Sequence, residues 1–71
     1  MHETPEQTAR KLYPIAWRAV AETYGTFTEE YAQFVIDYEQ AADDRAKAAV
    51  CARWLRECAE YASWLRNWGR A

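Results

Sequence analysis

Seventy-one residues, 51% of them hydrophobic and 28% charged, make one globular domain at most, and a thin one. A chain this short buries only about 60% of the surface it exposes when unfolded. Two glycines and two prolines are too few for the turns of an all-β fold, the longest apolar run (Ile15–Val20) is short and broken by Arg18, and a net charge of −2 argues against phosphate-dominated nucleic-acid binding.

The polar, acidic start is unlike a secretory signal, and Thr4-Pro5-Glu6-Gln7 reads as a helix start. Thr4 is placed to cap, Pro5 suits the first helical position and Gln7 completes a capping box. Ala9, Leu12, Ala16, Ala19, Val20 and Thr23 then recur at helical spacing. Pro14 interrupts the backbone bonding of this run. The expectation is a helix over about 5–24 kinked near Pro14, with a short helix ending near Leu12 as the alternative. Gly25 fits the C-terminal cap.

A second helix, about 28–41, follows from Phe27, Tyr31, Phe34, Val35, Tyr38 and Ala42. Thr26 boxed with Glu29, or Thr28 alone, would cap it, with Glu29 and Glu30 in the favourable first turn. From Thr28 to Trp68 there is no glycine or proline, and Ala41, Ala42, Ala46, Ala48 and Ala49 favour helix, so one long rod is the competing reading. The hydrophobic phase favours a break. The last stripe (Val50/Cys51, Trp54/Leu55, Cys58, Tyr61/Ala62, Leu65, Trp68) is out of register with the preceding one by about a third of a turn. Asp43 or Asp44 would cap a third helix over about 44–68. The fold class expected is an all-α bundle or hairpin of two or three helices, assembled as a homodimer.

Charge is unevenly spread. Residues 1–21 balance to +1, residues 22–44 to −7 and residues 45–71 to +4. An acidic segment followed by a basic one suggests that the two lie side by side, within or between chains. Glu29, Glu30, Asp37 and Asp43 mark the candidate acidic face, a solvated surface or a mimic of nucleic acid.

Catalysis finds little support. The single histidine, His2, lies at a terminus, and Ser63 has no base in sequence reach. Cys51 and Cys58 lack a histidine partner. Seven residues apart, the two cysteines share a helix face at about 10 Å, beyond disulfide reach. Buried reduced thiols in a cytoplasmic protein are the simplest reading, and crosslinking between chains is the alternative. Glu29/Glu30 and Asp43/Asp44 are better explained by helix starts than by acid–base work. No metal-ligand spacing or phosphate-binding loop is present, so no cofactor and no metal are expected.

Eleven aromatic residues, four of them tryptophan, are more than a thin core can hide. Tyr61, Trp64 and Trp68 fall on one strip of the last helix, flanked by Arg53, Arg56, Arg66 and Arg70. Tryptophan, tyrosine and arginine dominate interface energetics, because each desolvates a large area at modest entropic cost. Trp54, Leu55, Cys58, Tyr61, Ala62 and Leu65 are expected in the core, with Trp64 and Trp68 divided between core and surface. Tyr13, Trp17, Val20 and Tyr24 make a second candidate surface on the first helix. That helix is apolar over more than half its circumference and so must meet two layers, one of them a second copy. Glu57 and Glu60 dilute the C-terminal strip against anionic membranes, and the acidic middle would repel single-stranded nucleic acid. A helix-turn-helix fails because its recognition helix would be wholly acidic.

The sequence therefore leads to a non-enzymatic module that inhibits or tethers another protein. Its partner-binding residues would be Trp64, Trp68, Tyr61, Arg66, Arg70, Trp17 and Tyr13. By analogy of size and composition alone, such proteins are common among phage-encoded inhibitors of host systems, anti-CRISPR proteins included. A self-assembly module and an antitoxin or nucleic-acid-associated regulator are the alternatives.

Overall fold

The computed structural model describes residues 2–69. Within them are three α-helices, α1 (Pro5–Tyr24), α2 (Glu29–Gln40) and α3 (Asp44–Trp68). Their starts follow local chemistry. The Thr4 hydroxyl accepts from the Gln7 N–H and the Gln7 side chain accepts from the Thr4 N–H, a complete capping box ahead of Pro5. Thr28, rather than Thr26, caps α2 by accepting from the Tyr31 N–H. Asp43 caps α3 by accepting from the Ala46 N–H at 2.8 Å. Each cap satisfies one of the donors that a helix start leaves free.

α1 is one continuous helix through Pro14, so the alternative of a short helix ending near Leu12 is corrected. Proline removes the bond to the carbonyl four residues earlier, here Arg10. Both Pro14 and Arg10 are exposed, so that carbonyl is open to water and the interruption is tolerated. Gly25 closes α1 with φ +93°, a conformation that residues with a Cβ rarely adopt, and its N–H donates to the Ala21 carbonyl at 2.9 Å. The single-rod reading of residues 28–68 is also corrected. Ala41 is extended and ends α2, and Asp43 restarts the chain as α3.

α1 and α3 run parallel. Their starts lie side by side, with Thr4, Pro5 and Glu6 lining one cleft with Asp43, Asp44 and Arg45. Toward the other end Tyr24 packs on Tyr61. α2 returns between them, bringing Tyr31 to Trp17 and Tyr38 to Tyr13. The Cα envelope is flat, 45 × 29 × 15 Å, and the interior is correspondingly small. Its core is Ala16, Val20, Phe34, Cys51, Trp54 and Cys58, with Leu12, Tyr13, Ala19, Tyr24, Tyr31, Val35, Tyr38, Val50 and Leu55 packed around it. Small residues on α1 let α3 approach closely, and Phe34 and Trp54 fill the space toward α2.

Two readings of the apolar stripes are corrected. Phe27 begins the α2 stripe by spacing, but it lies in the α1–α2 turn and is fully exposed. Tyr61, Ala62 and Leu65 continue the α3 stripe but are exposed, because α1 ends at Tyr24 and none of the other described residues covers the turns beyond. Within the chain α1 packs against both α3 and α2, and Ile15 and Trp17 on it stay exposed. No helix is long and apolar enough to cross a membrane among the described residues.

Candidate functional site

α3 outruns its neighbours. Tyr61 lies level with the end of α1, and the seven residues from there to Trp68 project about 10 Å farther at 1.5 Å per residue. A series of touching rings leads from the core to this tip. Phe34 meets Trp54 edge-on at 6.0 Å, and Trp54 meets Tyr24 at 6.3 Å. Tyr24 meets Tyr61 at 5.2 Å, Tyr61 meets Trp64 at 6.3 Å, and Trp64 stacks on Trp68 at 6.1 Å. Exposure rises along the series, from 0% at Phe34 and 6% at Trp54 to 38% at Tyr61, 56% at Trp64 and 69% at Trp68. Leu65, 43% exposed, lies within the same strip. Each outer ring thus rests on the one before it, Trp68 on Trp64 and Trp64 on Tyr61.

Arg66 is exposed in the last turn of α3, where its charge complements the helix dipole. Arg70, the remaining basic residue expected here, lies outside the described residues. Phe27 is at the same end of the molecule, since its turn follows Tyr24. Sequence periodicity placed it at the head of the α2 stripe, and the structure leaves it exposed in the Gly25–Thr28 turn.

The second candidate surface is largely consumed inside the chain. Tyr13 packs against Phe34 and Tyr38, with the Tyr38 ring at 4.3 Å. Trp17 remains half-exposed, its indole N–H donating to the Tyr31 hydroxyl at 2.6 Å. Tyr13 is therefore a packing residue, and Trp17 sits apart from the α3 end.

The four acidic residues do not form one face. Asp37 turns to the α2–α3 seam, where its carboxylate accepts from Arg53, from the Trp54 indole N–H at 3.1 Å and from Gln33 at 2.7 Å. Burial pushes Asp37 upward, but these hydrogen bonds and the Arg53 charge outweigh it and hold the carboxyl below its usual value. Asp43 is the α3 cap. Glu29 and Glu30 alone stay exposed and uncommitted, in the first turn of α2. The acidic and basic segments do lie side by side, and Arg53–Asp37 is the one ion pair joining two helices among the described residues.

Cys51 and Cys58 are buried free thiols. Burial raises both above the ordinary value, the Thr23 hydroxyl beside Cys58 offsetting part of the effect there. They serve as small apolar residues that admit α1. Among the described residues no group of three histidine, cysteine or acidic side chains is gathered as a metal site would need. The cleft of about 410 Å³ beside Thr4 and Asp43 is open, and both cap oxygens there already accept from their own helices. No family model, curated protein or solved structure matches this chain.

Proposed function

We propose that the chain is a non-enzymatic protein-binding module whose working surface is the projecting end of α3. The observation that carries this reading is the ring series, which starts in the core and ends in solvent with Tyr61, Trp64 and Trp68 resting one on another. Fixed aromatic side chains lose little freedom when a partner covers them, so their desolvation is available as binding energy. Arg66 at the rim supplies a charged donor. The residues that would otherwise suggest chemistry are engaged elsewhere: both thiols in packing, Asp37 in the seam and Asp43 in a cap. Such a module acts by masking or tethering the polypeptide it holds.

A pull-down with tagged protein tests this, comparing the parent with a Trp64→Ala/Trp68→Ala variant of equal helicity. The parent should retain a stoichiometric polypeptide, its own untagged copy or another protein, and the variant should lose it. Equal retention by both would remove the α3 end from the binding surface.

A further inference from the structure

The strip on the α3 end is the exposed side of a helix, lined by Tyr61, Trp64, Leu65 and Trp68. At 100° per residue, Leu65 lies on its midline, Tyr61 and Trp68 fall on one flank, and Ala62 and Gly69 fall on the other. Leu65 is also the midpoint between Tyr61 and Gly69 along the axis. We propose that a second copy of this chain covers the strip, the two tips lying antiparallel across a two-fold axis at Leu65. This rests on the reading of the α3 end as the protein-binding surface and names its occupant.

In that register Leu65 meets its symmetry mate, and Trp68 of each copy lies beside Tyr61 of the other. Ala62 lies beside Gly69, small against small, so the backbones can approach closely. Each tip reaches the other copy's Gly25–Thr28 turn, where Phe27 is fully exposed.

Area supports a second copy. Taking about 150–250 Å² for each aromatic side chain, the exposed fractions of Tyr61, Leu65 and Trp68, with Trp64 at the strip's edge and Phe27 on the turn that the tip would meet, amount to at most roughly 600 Å². That is the upper limit for an apolar patch on a monomer, and two of them joined give on the order of 1,200 Å², where stable interfaces begin. Charge supports it as well. Over residues 56–70 Arg56, Arg66 and Arg70 stand against Glu57 and Glu60, a balance of +1, so two tips meet with little net repulsion, and nucleic acid or an anionic membrane gains little net attraction there. Pairing also adds buried surface to a core too small for comfort at this chain length.

Sedimentation equilibrium of the full chain over a wide concentration range, with helicity followed by circular dichroism, tests the proposal. The parent should dimerise. Trp68→Glu and Leu65→Glu change side chains that are already exposed, so each should keep its helicity and weaken the dimer by roughly tenfold or more. Ile15→Glu, on the outward face of α1, should dimerise like the parent. A parent that stays monomeric overturns the proposal, as does a dimer unaffected by both α3 variants. A monomer that still captures a different protein through Trp64 and Trp68 overturns only the second copy and leaves the binding surface standing.

Discussion

Asp37 is a charged residue on which two helices converge. It joins α2 to α3 through an arginine and an indole at once, and its side chain is mostly shielded while Arg53 is half in water. The two partners should therefore differ in effect. Asp37→Ala strands the part-buried Trp54 N–H and should cost about 1–3 kcal/mol. Arg53→Ala should cost about 0.5–1 kcal/mol, the usual range for a pair with one solvated member. Urea denaturation of both variants checks the order, and equal losses would show the indole bond to be worth little. Asp37 was legible in the sequence only as an acidic residue of the 22–44 segment, grouped with Glu29, Glu30 and Asp43 on a candidate acidic face. Spacing reveals which way a residue points on its helix and not which neighbour it meets, so its role as a clasp was illegible there.

At the level of the helix, the sequence carried its own punctuation. Thr4 with Gln7, Gly25 and Asp43 each act through a bond within a few residues, and such local chemistry can be read without the fold. The change of hydrophobic phase near Ala42 likewise marked the α2–α3 break. What spacing does not carry is where a covering helix stops. The α3 stripe looks uniform from Cys51 to Trp68, yet it is buried only as far as Cys58 because α1 ends first. Phe27 was placed on the α2 stripe for a related reason, being in phase with α2 but ahead of its cap. Pro14 supplies a test at this scale. Its ring is exposed, and it costs one backbone bond and crowds the Arg10 carbonyl, so Pro14→Ala should restore the bond to Arg10 and stabilise the protein by about 1–3 kcal/mol. A rise in thermal midpoint with unchanged helix content would confirm it. A fall would mean that the chain uses the irregularity at Pro14 to fit α1 against its neighbours.

The molecule as a whole should have a bounded pH range of stability. Asp37 is held below its ordinary value in the folded chain, so its contribution is complete above about pH 4 and is lost as pH falls through the lowered native value. On the alkaline side, burial raises Cys51 and Cys58 from about 9, and Tyr24 and Tyr38 from about 10. Their contribution is complete below those unfolded values and declines as pH rises past 9, because the unfolded chain then releases protons that the folded chain retains. Thermal midpoints measured from pH 3 to pH 11 should form a plateau falling at both edges, and a midpoint still rising above pH 9 would contradict the burial of the thiols. Another whole-molecule consequence follows from the parallel alignment of α1 and α3, the pairing that holds most of the core. The two helices are separated in sequence by the whole of α2, so closing that distance must precede the main energetic return. The α1–α2 hairpin buries too little to persist alone, and folding should therefore be a single cooperative event, slower than is usual for a helical chain of this length, with no stable half-built form along the way.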